Sequence, residues 1–293
     1  MMKAYWSDGR GRYGTKDSYD NFPRFRCITD YELFTSSDGL WTYWVRENGI
    51  ELLRYNGCDI HISVPAVVDG KKVTSLYWTF DGFVELKSGE IPEGVVSIEG
   101  AFYGCEGLED VRLPEGLENI SHAFESCFAL KNVQVPDSVT DYTYAFAETA
   151  IESFAFPQGA QVINNAFSAC LSLKQVSIPK TVCRTFEVFN DCEVLEQVEL
   201  EDGIQQIEDY MFFNCYSLKE LKIPGSVKEI GRQAVGIQEV LELYDEGNVP
   251  VPSYWVAGYE VVPSFHIIGV PGSAAEQYAK EEGIPFIEQS KGM

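Results

Sequence analysis

The chain repeats a short pattern along most of its length, and this repetition limits the possible folds more than any other feature. The stretch AFYGCEGLEDVRLP, which begins at Ala101, returns twenty-two residues later as AFESCFALKNVQVP. A phenylalanine marks each unit, and other apolar columns follow it in step. The marker column is Phe80, Phe102, Phe124, Phe146, Phe167, Phe189, Phe212 and Val235. A period of this size is typical of stacked structural repeats.

Each unit follows the pattern A-F-x-x-C-x-x-L-x-x-V-x-I-P-x-x-V-x-x-I. The V-x-I part alternates like a strand with one buried face, and the proline ends its hydrogen-bonded ladder. The A-F-x-x-C-x-x-L part has the three-residue spacing of a short helical turn. One unit cannot bury its apolar side alone, whereas stacked units share a continuous core. The sequence therefore predicts a solenoid, a stack of about eight coils with a parallel sheet on one face.

One column of the repeat is rich in cysteine. It reads Phe83, Cys105, Cys127, Thr149, Cys170, Cys192, Cys215 and Gln238. Disulfides, a metal site and simple packing in the core are three alternatives for this column. No CxxC pair occurs, and Phe or Thr can replace the cysteine, so packing is favoured. We expect all eight cysteines of the chain to be free thiols.

The unit AF..C..L..V..P resembles the BspA-like leucine-rich repeat family of bacterial and some protist proteins. The resemblance runs from about Trp41 to Glu288 and includes the closing stretch IIGVPGSAAEQYAKEEGIPF. It implies a leucine-rich-repeat-like solenoid with an N-terminal β-hairpin cap and a short C-terminal helix cap. It also implies a non-enzymatic interaction or adhesion protein, often displayed on bacterial cell surfaces, with no shared catalytic residues.

The edges of the repeat divide the chain into five segments. Residues 1–40 are an N-terminal arm or partial cap, 41–72 a β-ribbon cap, and 73–243 the repeat solenoid. Residues 244–264 form an irregular segment rich in aromatic residues and proline, and 265–293 form a strand-helix cap. The irregular segment is either a last coil packed by its aromatics, which we favour, or an exposed binding loop.

Short local signals predict turns and caps within these segments. Asn48-Gly49 is typical of a two-residue hairpin loop, and Asp69-Gly70 predicts a second turn. Ser273 and Glu276 predict a capping box at the start of a helix, and Gly283 predicts its end.

Charge excludes some classes of partner. The chain has 45 acidic and 22 basic residues, for a formal net charge of −23. A phosphate backbone binds Lys and Arg surfaces, so we expect no nucleic-acid partner. No apolar run approaches the roughly 18 residues of a membrane span, and no secretory signal is visible. The lack of a visible signal and the cysteines favour an intracellular location, whereas the family resemblance favours the cell surface or secretion. We expect a monomer.

No group of residues indicates catalysis. Gly9 to Gly14 spell GxGxxG, but a dinucleotide site needs this loop between a strand and a helix. His61, His122 and His266 lack the spacing of a catalytic triad or a zinc site. We therefore predict no catalytic, metal-binding or cofactor-binding residues. An enzyme with a site on the non-repeat segments stays open as an alternative.

The residues that flank the buried valine of each strand are predicted to point outward. They form a polar candidate binding surface of Asp110, Arg112, Asn132, Gln134, Ser153, Gln175, Ser177, Gln197, Glu199, Glu220 and Lys222. Tyr254, Trp255 and Tyr259 are a secondary candidate. The predicted function is binding of a protein or glycan partner, with a structural spacer as the alternative. The acidic charge predicts a basic or mixed polar partner and binding that weakens with salt.

Overall fold

A computed structural model describes residues 32–244 and 253–289, together with two short strands nearer the start of the chain. These two strands, β1 (Trp6–Ser7) and β2 (Tyr13–Gly14), pair antiparallel. Most of the Gly9–Gly14 stretch lies outside the described residues. Within the part of the chain that the structure describes, no helix is long and apolar enough to cross a membrane.

A five-stranded sheet packs on the N-terminal end of the repeat. Its strands are β3 (Leu33–Thr35), β4 (Trp41–Arg46), β5 (Gly49–Tyr55), β7 (Val67–Val68) and β8 (Lys71–Leu76), in the order β3-β4-β5-β8-β7. β6 (His61–Ser63) lies between β5 and β7 in sequence but joins a different sheet. Trp41, Ile50 and Leu52 are buried and extend the apolar core of the repeat to this end.

The two predicted turns of this sheet have different outcomes. Asp69 and Gly70 both have positive φ, 49° and 75°, as the predicted two-residue turn requires. The other hairpin forms, but Arg46 pairs with Gly49, so its loop is Glu47-Asn48 and our prediction was wrong by one residue. A Cβ on Gly49 would lie 2.5 Å from the Lys72 carbonyl oxygen, so glycine is needed there for the close approach of β8.

The repeats stack in about ten turns, rather than the predicted eight, and their strands form one face, here named the coil sheet. Its strands are β6, β9 (Ser88–Glu90), β10 (Asp110–Arg112), β11 (Ser153–Ala155), β12 (Gln175–Ile178), β13 (Gln197–Leu200), β15 (Glu220–Lys222), β19 (His266–Gly269) and β20 (Phe286–Glu288). They pair in parallel in three groups, β6-β9-β10, β11-β12-β13 and β15-β19-β20. β6 and β20 belong to the two additional coils, which have no residue in the marker column.

The strand predicted around Val133 does not form ladder pairs, although Asn132 and Gln134 are exposed as expected. The break coincides with rings in columns that hold smaller residues in most other units. Phe154 and Phe156 lie 5.0 Å apart, and Tyr142 is 5.3 Å from Phe156.

A second parallel ladder runs along another side of the stack. Single bridges link Ser75, Ser97, Asn119, Asp141, Val162 and Arg184 in turn. In later coils, β14 (Gln206–Ile207) and β16 (Glu229–Ile230) form the corresponding parallel pair. The V-x-x-I part of the repeat is therefore an extended segment that holds consecutive coils together.

The core is the stack of marker phenylalanines. Their rings are at most 2% exposed, and neighbouring centroids lie between 5.2 Å (Phe80–Phe102) and 6.1 Å (Phe167–Phe189) apart. Most adjacent rings are close to parallel, with an angle of 2° between Phe124 and Phe146, whereas Phe146 and Phe167 are tilted by 30°. The columns read from the sequence thus coincide with the core.

The A-F segment forms a corner of turns rather than a helix. Each corner carries two residues with positive φ. The first lies two positions before the marker residue, and the second lies two positions after it, or one position after it in the last coil. The first row is Trp78, Gly100, His122, Tyr144, Asn165, Glu187, Tyr210 and Gln233, and the second is Gly82, Gly104, Ser126, Glu148, Ala169, Asp191, Asn214 and Gly236. N–H groups here donate to the next coil, as from Phe102 to the Ala123 carbonyl at 3.0 Å. These bonds between coils take the place of a helix ladder.

In the segment predicted to be irregular, 244–264, the described residues up to Val261 instead belong to a long antiparallel hairpin. β17 (Ile237–Tyr244) pairs with β18 (Ser253–Val261), so the hairpin begins inside the predicted solenoid segment. Its strands satisfy each other's backbone groups, and it is inserted between β16 and β19. Among the residues whose side chains are described, Val256 and Tyr259 are exposed, which contradicts the favoured interpretation of a packed last coil.

The C-terminal helix α1 (Ala274–Glu282) ends at Gly283 as predicted, with φ 72°. Its N-terminus differs from the predicted capping box. Ser273 makes no side-chain cap, and Glu276 instead accepts the N–H of Gly272 at 2.6 Å. Tyr278 packs against the corner of the last marker position and accepts the Val235 N–H at 3.1 Å, so α1 covers the end of the Phe stack.

Candidate interaction surface

The outward rows of the coil sheet lie where the sequence places them. All of the candidate residues are exposed except Ser177, which is half-buried. Val111 and Val176, between them in sequence, are buried. Across β11, β12 and β13 the register aligns Ser153 with Gln175 and Gln197, so side chains of successive coils stand side by side.

A third outward row adjoins these two and was missed by sequence reasoning. One residue before the first candidate row, the chain places Lys87, Glu109, Lys131, Glu152, Lys174, Glu196 and Lys219 on successive coils. Lys and Glu alternate without exception, and Lys87–Glu109 and Lys174–Glu152 form ion pairs at 2.9 and 3.2 Å. The hydrogen bond from Lys87 holds the pKa of Glu109 below its usual value. The sequence signal that could have predicted this row is the alternation of Lys and Glu at the repeat period.

Charges on the coil sheet nearly cancel, so the net acidic charge from which we predicted a basic or mixed polar partner and salt-sensitive binding is not concentrated on this face. The alternating row has four Lys and three Glu. In the candidate rows, Asp110, Glu199 and Glu220 are offset by Arg112 and Lys222, and Arg112 pairs with Glu90 at 3.2 Å. The excess acid of the chain therefore lies on other sides of the stack.

The cysteine column is buried, as the packing interpretation expects, and it has a further role. Each described thiol of the column donates to the carbonyl of the marker Phe one coil earlier, for example Cys127 to Phe102 at 3.1 Å and Cys192 to Phe167 at 3.0 Å. Thr149 also brings a donor, but its hydroxyl bonds to the carbonyl of Phe146, the marker of its own coil, at 2.9 Å. A small side chain that donates a hydrogen bond, rather than only a small apolar side chain, therefore suits this column.

Seven cysteines are described, and all are free thiols, whereas Cys27 lies outside the described residues. Cys58 and Cys183 are exposed and the column cysteines are buried. Burial raises the pKa of the Cys170 thiol to about 11. Such thiols stay protonated and unreactive at neutral pH.

The secondary candidate lies on β18. Tyr259 is 56% exposed, and its ring centroid is 5.9 Å from that of Phe213 on the adjacent coil. The side chains of Tyr254 and Trp255 lie outside the described residues.

The histidines do not come together. His61 contacts Ser88 Oγ at 2.8 Å on the first coils, His122 stacks on Tyr144 at a corner, and His266 is 3.6 Å from Glu220 near the far end. Over residues 32–244 and 253–289, no group of three or more His, Cys, Asp or Glu residues has a metal-binding arrangement.

Comparison with known proteins identifies the repeat. A family model described as BspA type leucine rich repeat region matches in six copies, within residues 77–186 and 142–239. These ranges together cover more than half of the chain. No curated protein matches the chain.

A solved structure gives the same result for the fold. A leucine-rich repeat protein from Bacteroides ovatus is 26% identical over 69% of this chain, with a TM-score of 0.60. The chain spans 54% of that protein's length. A T. pallidum leucine-rich repeat protein is 27% identical, with 69% of this chain and 83% of that protein covered and a TM-score of 0.44.

Proposed function

Because the chain belongs to the BspA-type leucine-rich repeat family, we propose that it is a non-enzymatic interaction protein. It binds a protein or glycan partner through the outward rows of the coil sheet. Neither the matching family nor the similar structures are described as enzymes.

The observation that supports this proposal is the in-register array of exposed polar side chains on the coil sheet. Gln175 and Gln197 stand on adjacent strands of one ladder, and neither is needed for the core. The strands below them are fixed by the buried Phe stack and by backbone bonds between coils. A rigid array loses little conformational entropy on binding, which favours recognition of an extended partner.

The charge of the coil sheet refines the class of partner. Since the charges of the coil sheet nearly cancel, and Lys87–Glu109 and Lys174–Glu152 already pair between coils, a partner gains little from net charge and more from hydrogen bonds to amide and hydroxyl groups. We therefore propose a polar partner, and we expect its affinity to change little between low and physiological salt. Location in the cell is a separate proposal, intracellular, to be checked by fractionation of the cells that make the protein.

Affinity capture with matched variants tests the proposal. Gln175→Arg/Gln197→Arg places two bulky cations on the coil sheet, whereas Gln161→Arg places one on the side that carries the second ladder. Captured proteins are quantified by mass spectrometry, and glycan binding is measured on an array. A partner kept by the wild type and by Gln161→Arg, but lost from the sheet variant, supports the proposal. Equal capture by all three contradicts it, and no specific capture favours the spacer alternative.

A further inference from the structure

A cavity of about 210 Å³ lies where the hairpin β17–β18 leaves the stack. We propose that it binds an alkylammonium or alkylguanidinium group, such as the end of a lysine or arginine side chain. The cavity is at the corner side of the coils rather than on the coil sheet, so this inference goes beyond the proposed function and does not depend on it.

The cavity exists because the hairpin replaces the next coil at this point. The N–H of Asn214 donates to the Ile237 carbonyl at 3.1 Å, as it would to a regular following coil. The Asn214 side chain, 5% exposed, joins the two parts: its amide donates to Asp191 at 2.7 Å and its oxygen accepts the Glu239 N–H at 2.8 Å. Glu239 and Tyr259 are direct partners across the hairpin, so together they form one wall.

Three rings supply surfaces for a cation. Tyr210 and Phe213 come from the coil and Tyr259 from the hairpin, with 5.9 Å between the Phe213 and Tyr259 centroids. The electron-rich face of such a ring attracts ammonium and guanidinium groups. Tyr210 already does so within the molecule, since the Arg232 guanidinium carbon lies 5.0 Å from its centroid.

Three carboxylates, those of Glu187, Asp191 and Glu239, line the same cavity. In the described part of the chain, none of them forms an ion pair with Lys, Arg or His, in contrast to the paired carboxylates of the coil sheet. Asn165 donates to Glu187 at 3.0 Å and Asn214 to Asp191, so both carboxylates are held in place by neutral amides. Their charge stays available to a ligand.

An unsatisfied acceptor points to a ligand that carries N–H donors. Asn190 lines the cavity, and its Oδ1 atom is buried without a hydrogen-bond donor among the described residues. A buried polar atom of this kind is rare unless a partner completes it. An ammonium group offers three donors and a guanidinium five.

The lining does not suit the other charged ligands. An anion would meet three carboxylates, and within the described residues these carboxylates do not have the arrangement that holds a metal ion. A cation at the end of an alkyl chain satisfies both parts of the lining, because its stem contacts the rings while its head meets the carboxylates.

The test uses Nα-acetyl-lysine methylamide and Nα-acetyl-arginine methylamide as probes, with Nα-acetyl-norleucine methylamide as the neutral match. Spermidine tests a free polyamine as the source of the same chemistry. Amide chemical shifts of the ¹⁵N-labelled full chain report binding. We expect saturable shifts around the cavity with the charged probes and none with norleucine. Tighter binding of spermidine assigns a free amine, and tighter binding of the capped amino acids assigns a protein side chain.

Matched variants locate the site. Asp191→Asn/Glu239→Gln removes two charges but keeps both shapes, and asparagine tolerates the positive φ of position 191. Binding should weaken about fivefold, since two ion pairs are lost and exposed ion pairs are individually weak. Glu260→Gln, on the same hairpin but outside the cavity, should bind like the wild type. The absence of charged-probe binding to the wild type, or equal binding by all three proteins, would overturn the inference.

Discussion

Single side chains set the geometry of each coil. The thiols of the repeat donate across coils to the carbonyls of the marker phenylalanines, whereas the Thr149 hydroxyl donates within its own coil. The sequence placed these cysteines in the core, since their column kept step with the buried ones. It did not predict their hydrogen bonds, because the direction of a carbonyl depends on the backbone of the coil before.

Tyr142 places an energetically unfavourable hydroxyl group in the core of the repeat. The ring is fully buried, and its hydroxyl has no hydrogen-bond partner among the described residues. Tyr142→Phe removes that hydroxyl and keeps the ring, so we expect a gain in unfolding free energy of about 1 kcal/mol. Urea unfolding at neutral pH measures it. A loss of stability would show that the hydroxyl is satisfied in solution.

Ala169 occupies the second corner row with a φ of 56°, where three other coils have glycine. A non-glycine residue in this conformation is strained, so Ala169→Gly should raise the unfolding free energy by about 0.5 to 1 kcal/mol. Ala145→Gly is the matched control, because Ala145 is buried and its φ is not positive. The control should lose stability. If both variants were destabilised equally, the strain at Ala169 would be refuted.

Strands and turns were predictable where they repeat and less so where they do not. The inward and outward faces at Val111 and Val176 followed from alternation, and Asp69-Gly70 followed from turn chemistry. The hairpin loop at Asn48 was misplaced because Gly49 serves a close approach by β8, a contact distant in sequence. The β17–β18 hairpin was missed because its two strands pair only with each other and carry no repeat signal. The cavity beside it was missed for the same reason.

The Phe stack should tolerate far less change than the coil sheet. Phe124 is fully buried between Phe102 and Phe146, so Phe124→Ala should reduce the unfolding free energy by about 3 to 5 kcal/mol. Gln134 is exposed, and Gln134→Ala should stay within about 0.5 kcal/mol of the wild type. Denaturant midpoints compare the two. Similar losses at both positions would mean that the assigned faces are reversed.

At the scale of the whole molecule, the sides of the stack have different chemistry. The coil sheet balances its charges from coil to coil, and the acid lies on the other sides, including the corner cavity. Composition alone gave the total charge but not this distribution, because a net charge carries no information on which side of a coil each residue lies.

The buried thiols predict that the molecule loses stability at alkaline pH. Burial raises the pKa values of Cys105, Cys127, Cys170, Cys192 and Cys215. Unfolded thiols ionise near pH 8.5, so this stability is fully present below that pH and is lost as the pH rises further. Each thiol that stays protonated contributes a slope of about 1.4 kcal/mol per pH unit.

Urea unfolding between pH 7 and 10.5, with reductant present, measures this slope. Cys127→Ser keeps a donor but does not titrate in this range, so its stability should fall less steeply than that of the wild type. Identical slopes in the two proteins would contradict burial of the Cys127 thiol.

The central claim is that a partner binds along the coil sheet, and site-specific photo-crosslinking tests it most directly. Benzoylphenylalanine replaces Gln175 on the coil sheet or Gln161 beside the second ladder, both exposed, in the cells that make the protein. After irradiation, adducts are separated by mass and identified. The account predicts a defined adduct from position 175 and none from position 161. Adducts from position 161 alone would contradict it.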